Sequence, residues 1–364
     1  MTDKVRDPDA NGAVVRPFPR AGNTPTDQVP PEVRDIVDLL HDACGRDLIG
    51  VVFFGSRLLG TSPDERSAAD LVVVVENYLR FYETIGSRLP AARHSGIMAA
   101  LNRVLPPNII YLHDPGGMRA GAKCFVVTEY DLGLAMSADA KDHFFRGRLA
   151  QRVHIVFARS ERDRGALERR IEAARRLTVD WVPIYMKEAP FGVLDFCRRM
   201  MEVSYAGEIR PEARSRVLEV FQSQVSFFRL VYGRVLQDAA RDGRLIAEGD
   251  RYRPAKKPSW RERQRMAAFF RRSKARATLR WFKYMLTFDD WLDYIVRKVE
   301  RRSGLRIEIT KSERRFPIIF LWPKALRVIR AMRSAEVARF VASTSRMRDL
   351  LDLQPPTDPL DGLA

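Results

Sequence analysis

Hydrophobic and polar positions follow two periods along the first half of the chain. Residues 32–43 place Val33, Ile36, Leu39 and Leu40 on one helical stripe. Residues 47–54 (DLIGVVFF) read as a buried strand, and a second is predicted at 70–75, each opening on an aspartate before its apolar run. Between them lies a loop marked by Gly60, Ser62, Pro63 and Ser67. Helices are predicted over 78–87 and 97–104, and strands over 108–112, 123–128 and 153–158. Residues 113–122 carry Gly-rich turn chemistry, and 129–145 reads as mostly helical. The order strand, strand, helix, strand, strand, helix, strand predicts an α+β fold: a mixed sheet with helices on at least one face.

Beyond the last of these strands the pattern becomes helical over 161–240, with a buried element at 181–185, and 247–258 reads as a linker. Trp281, Met285, Phe288, Leu292, Ile295 and Val299 then recur at alternating spacings of four and three, one face of an amphipathic helix. Residues 305–310 and 316–323, separated by KSERR, form a predicted hairpin, and a further helix starts near Lys324. The expected organisation is a disordered leader at 1–30, a sheet-bearing domain at 31–160 and a helical domain at 161–250. A basic amphipathic region at 251–350 and a tail at 351–364 complete it.

Charge sharpens this division. The whole chain carries a net charge of +17, and residues 251–330 alone hold 24 Lys and Arg against 7 Asp and Glu. The rest is balanced. A compact basic segment wants an anionic partner, whether a membrane surface, a nucleic acid or a phosphate-bearing substrate. No apolar run approaches the roughly 18–20 residues that span a bilayer, and the N-terminus has no apolar core of a signal peptide. Cys44, Cys124 and Cys197 are widely spaced, which argues against a disulfide framework or a zinc site and fits a reducing cytoplasm.

The chemistry concentrates in VVFFGSRLLGTSPDERSAADLVVVVEN, residues 51–77. Gly55-Ser56 leaves a buried strand, and a tight turn there offers backbone N–H groups and a hydroxyl to a closely approaching triphosphate. Asp70 opens the next strand beside those phosphates, where a carboxylate suits Mg²⁺. Strand, Gly-Ser, spacer, Asp, strand resembles the core of the nucleotidyltransferase (polymerase-β-like) superfamily. The usual Asp-x-Asp is here Asp70-Leu71-Val72, and Glu76, Asp114, Glu129 and Asp131 are the alternatives for a second carboxylate.

Further stretches resemble the mitochondrial phosphatidate cytidylyltransferase (translocator assembly and maintenance) family. Phe54-Gly55-Ser56-Arg57 matches its aromatic-Gly-Ser, and residues 70–76 match its single Asp, apolar run and acid. Residues 108–111 and 123–127 follow in order. Residues 145–153 (FRGRLAQRV) resemble its Gly-Arg-Leu-x-Lys stretch, and residues 204–210 (SYAGEIR) its Ser-Tyr-small-Gly-acid-apolar-Arg motif. The likeness covers residues 50–240. It departs at 78–82, where aromatic residues stand without the family's histidine, and from about Trp260 onward.

The resemblance implies a nucleotidyltransferase domain followed by a helical, winged-helix-like domain. It implies transfer of CMP from CTP to phosphatidic acid with Mg²⁺, giving CDP-diacylglycerol and pyrophosphate. Gly55 and Ser56 are expected to cradle the triphosphate, with Arg57 a further phosphate contact. Asp70 is expected to hold the metal, Lys123 and Arg148 to meet phosphate oxygens, and Tyr205 to stack on the base. The lipid phosphate is an ionised nucleophile, so no general base is required. An enzyme with no spanning helix meets such a lipid by docking on the bilayer, and the basic C-terminal region suits that anionic surface. The expected location is the cytoplasm, peripherally bound to the membrane. Nucleic acid stays open as the anionic partner, with RNA or protein as alternative acceptors, or binding without catalysis.

Overall fold

The computed structural model describes residues 29–287, apart from 62–66, 87–93, 114–120, 187–188 and 208–213, together with positions 296, 306 and 308–310. The chain divides into two compact units, Met1–Lys283 and Tyr284–Ala364. The leader at 1–28, most of the stripe at 281–299, and the second half of the hairpin and the helix expected beyond residue 310 lie outside the described residues.

At the centre of the first unit is a mixed five-stranded sheet in the order β3-β4-β2-β1-β5, an α+β architecture. The strands are β1 (Leu48–Phe54), β2 (Ala69–Val75), β3 (Asn108–Leu112), β4 (Ala122–Thr128) and β5 (His154–Ala158). Only β2 and β4 run parallel; every other pair in this sheet is antiparallel. Helices cover both faces. On one lie α1 (Pro31–Cys44), α2 (Tyr78–Ile85) and α3 (Ser95–Val104), packed on Val51, Phe53, Leu71, Val73 and Val75. On the other lie α4 (Glu129–Met136), α5 (Phe144–Leu149) and α6 (Glu161–Arg176), packed on Val52, Phe54, Val72, Val74 and Phe125. Burial on both faces explains why β1 and β2 read as continuous apolar runs rather than alternating ones. The stretch expected to be helical over 129–145 is broken between α4 and α5, because Ser137 is extended and ends α4.

The remaining helices build a separate core. α7 (Val182–Tyr185), α8 (Val193–Ala206), α9 (Arg214–Gln222) and α10 (Val225–Arg241) gather Phe196, Met200, Phe228, Tyr232 and Leu236. The expected linker at 247–258 is mostly a hairpin instead, β6 (Leu245–Glu248) paired with β7 (Arg251–Pro254) around Gly249 at φ +64. Each strand buries a single side chain, Leu245 and Tyr252, so the apolar signal was too thin to read.

α11 (Trp260–Thr287) starts twenty-one residues before the stripe predicted from Trp281. A capping box begins it: Ser259 Oγ accepts the Glu262 N–H at 3.3 Å, and Glu262 Oε2 accepts the Ser259 N–H at 2.6 Å. Its inner face buries Ser273, Arg280 and Lys283. The basic region is therefore not simply an outward surface. Arg276 and Arg280 bind Asp142 at 2.6 and 2.7 Å, and Lys283 Nζ donates to the Leu105 and Pro107 carbonyls.

Candidate active site

β1 ends at Phe54, and Gly55 opens the turn with a φ of +84, a conformation that favours glycine. A Cβ on Gly55 would lie 2.6 Å from Asp70 Oδ2. The missing side chain is thus what lets the Asp70 carboxylate rest against the backbone of the turn. The turn then closes on itself: the Leu59 N–H donates to the Gly55 carbonyl at 3.2 Å and the Thr61 N–H to the Ser56 carbonyl at 3.0 Å. Ser56 is half-buried within it.

Strand register brings the next residue in. Phe54, Asp70, Lys123 and Tyr111 form one rung across β1, β2, β4 and β3. Register partners project to the same face, here the face of Val72 and Phe125. Asp70 and Lys123 are therefore neighbours where the parallel strands begin, beside the end of β1. A carboxylate, an ammonium and a turn built around glycine meet at one edge of the sheet.

Arg148 lies on α5 above the same face. Its Nη1 donates to the Phe144 carbonyl at 2.8 Å, and its guanidinium sits 3.8 Å from the centroid of the Phe144 ring. Phe144 packs on Phe125 and Phe125 on Phe54, with centroids 5.9 and 5.3 Å apart. Two rings thus connect Arg148 to the residue before Gly55.

Two expected residues are placed differently. Arg57 turns back to α1 and forms a close ion pair with the buried Glu32, bracing the turn. Tyr205 sits half-buried on α8 and packs against the core of the helical part. The turn itself reaches that part, since Leu59 packs into its core and Arg216 Nη2 donates to Thr61 Oγ1 at 3.4 Å.

The alternatives for a second carboxylate separate cleanly. Glu76, Glu129 and Asp131 stand at the far ends of β2 and β4, about 20 Å along the strands at ~3.3 Å per residue. There Asp131 accepts the Tyr78 hydroxyl at 2.6 Å, Glu129 pairs with Arg170 at 2.9 Å, and Glu76 with Arg159 at 3.2 Å. Asp114 lies outside the described residues. Among the described residues no three His, Cys, Asp or Glu side chains gather to hold a metal. A single carboxylate such as Asp70 against the turn is compatible with Mg²⁺, which takes one or two carboxylates and completes its shell with other oxygens.

A crevice at the far end is lined by Glu76, Asn77, Tyr78, Arg103, Thr128, Tyr130 and Asp131. Its polar groups cap helices: Asn77 accepts two N–H groups of α2 and Thr128 one of α4. Asp142, Arg280 and Lys283 carried no signal in the sequence, because only the fold brings them to their partners. No family model matches the chain, and no curated protein matches it.

Proposed function

We propose that the chain is a Mg²⁺-dependent nucleotidyltransferase that transfers CMP from CTP to phosphatidic acid, giving CDP-diacylglycerol and pyrophosphate. The observation that carries this reading is the juxtaposition of Gly55 at φ +84, the Asp70 carboxylate against it, and Lys123 on the same rung. The ordered likeness over residues 50–240 selects the substrates. Helices α8–α10 followed by the β6–β7 hairpin fit the winged-helix part of the same reading.

The lipid phosphate oxygen attacks the α-phosphorus of CTP, and the bond to the pyrophosphate oxygen breaks. The nucleophile is already ionised, so no side chain need remove a proton. Gly55 and Ser56 let the triphosphate approach the backbone, and Lys123 and Arg148 offset its negative charge. Asp70 would hold Mg²⁺ together with the triphosphate, and the metal would supply positive charge to offset that of the departing pyrophosphate.

A lipid substrate also requires a docking surface. Among the described residues no helix is long and apolar enough to cross a membrane. The outer side of α11 exposes Arg261, Arg265, Arg271 and Lys274, with Trp260, Leu279 and Phe282 exposed beside them. Cations interleaved with large apolar side chains suit an anionic bilayer surface. Asp70→Asn tests the core of the proposal: it should abolish Mg²⁺-dependent turnover while the melting temperature holds. Retained turnover would refute the role of Asp70.

A further inference from the structure

The six residues of α5, FFRGRL, are all buried, and the helix starts from a carboxylate that belongs equally to α11. Asp142 Oδ1 accepts the Phe144 N–H at 3.1 Å. Its Oδ2 accepts Arg276 Nε at 2.6 Å and Arg280 Nη2 at 2.7 Å. Burial alone would raise the Asp142 carboxyl, but Arg280 and Arg276 hold it below the ordinary carboxylate range. The ion pair is therefore kept charged inside the unit. The His143 N–H also donates to Ser273 Oγ of α11 at 3.0 Å, so two consecutive residues before α5 are fixed by the same helix.

Arg280 makes three kinds of contact at once. Besides Asp142, its Nε donates to the Pro106 carbonyl at 2.7 Å, and its guanidinium lies 4.6 Å from the centroid of the Phe144 ring. Arg148 sits 3.8 Å from the same centroid. Phe144 in turn packs on Phe125, and Phe125 on Phe54, next to Gly55. Arg280 is 2% exposed, so solvent cannot replace these contacts. A lysine could supply the charge to Asp142, but not the planar fork that reaches a carbonyl and a carboxylate while lying on a ring.

We infer that Arg280 is a positioning residue: through Asp142 and the Phe144 ring it fixes α5, and so sets Arg148 and the turn at Gly55–Ser56. A helix from the basic C-terminal region thereby completes the site instead of serving only as a surface. That the turn and Arg148 form a nucleotide site rests on the proposed function; the mechanical link does not.

The experiment uses the full chain and reads amide hydrogen exchange of α5 and of the Leu59 and Thr61 amides, whose bonds close the turn. Arg280→Lys and the isosteric Asp142→Asn are compared with wild type and with the double variant. Each single variant is expected to speed exchange in α5 and at Leu59 and Thr61 by about tenfold, with α10 unchanged. The double variant should do less than the sum of the two single ones, because the Asp142–Arg280 pair is common to both. With CTP and phosphatidic acid, Arg280→Lys should lower kcat about tenfold while the melting temperature falls by only a few degrees. Exchange unchanged at Leu59 and Thr61 in both single variants, or rising uniformly with lost stability, would overturn the inference. Absent turnover in wild type would defeat the proposed function, and the exchange data would still decide the role of Arg280.

Discussion

Replacing Gly55 by alanine probes the turn and the carboxylate together. The new Cβ would sit at φ +84, which costs an L-residue about 1–2 kcal/mol. It would also meet Asp70 Oδ2 at 2.6 Å and Asp70 Cβ and Cγ at 3.3 Å, so the carboxylate must leave its rotamer at a further cost of roughly 0.5–1.5 kcal/mol. The sum is about 1.5–3.5 kcal/mol, which for a unit of this size lowers Tm by roughly 3–14 °C. Gly60→Ala separates the two effects. Gly60 also has positive φ, +66, but its Cβ would have nothing within 4 Å, so only the backbone cost applies. Thermal melts and calorimetric titration with Mg²⁺ and CTP read the outcome. Gly55→Ala should melt below Gly60→Ala and lose CTP affinity more than about tenfold, while Gly60→Ala binds as wild type. Adding Asp70→Ala to Gly55→Ala should recover the part of the stability lost to the contact. If Gly55→Ala bound CTP normally, or melted with Gly60→Ala, glycine would not be there to admit the Asp70 carboxylate.

The other predictions concern the helices around the site. Burial first, then Arg280 and Arg276, push the Lys283 ammonium down to about 6 from an ordinary 10.5. Between those values the unfolded chain binds more protons at this position than the folded one, so Lys283 makes stability rise with pH across that window. Lys283→Met should flatten that slope in denaturant midpoints compared at about pH 6 and pH 9, and an unchanged slope would remove Lys283 as its source. Tyr82→Phe leaves one donor each of Asn102 and Asn108 without the hydroxyl they share at 3.0 and 2.9 Å. The loss should be about 1–3 kcal/mol in chemical denaturation, and a neutral result would contradict it. Reversing Arg261, Arg265 and Arg271 to Glu should weaken binding to phosphatidic-acid vesicles by at least roughly 100-fold, at about 1 kcal/mol per basic residue, with Tm unchanged. Equal loss of RNA binding with no preference for vesicles would point the face toward nucleic acid.

The sheet was legible because β1 and β2 lie between two helical layers, and burial on both faces leaves no polar interruption from Leu71 to Val75. The helices α1 to α3 showed their stripes for the complementary reason, with one face on the sheet and one in water. α11 hid its start because its first turns, residues 261–265 (RERQR), are exposed all round and a buried Ser273 interrupts the inner face that follows. At the candidate site, Gly55, Ser56 and Asp70 were singled out by the strand, Gly-Ser, spacer, Asp, strand layout and the family resemblance, and the structure places the Asp70 carboxylate against Gly55. Lys123 became their neighbour only through the parallel register of β2 with β4. The same strand directions carried Glu76, Glu129 and Asp131 to the far end, which spacing along the chain does not encode. Arg57 read as a phosphate ligand by proximity in sequence, yet the buried Glu32 on α1 draws it away.

The most direct test incubates the full chain with Mg²⁺, labelled CTP and phosphatidic acid in anionic vesicles, and measures label in the lipid extract. Label that requires the lipid, the metal and Asp70 is the predicted result. No label from a folded protein that still binds CTP would contradict phosphatidic acid as the acceptor, and no CTP binding at all would contradict the nucleotidyltransferase site.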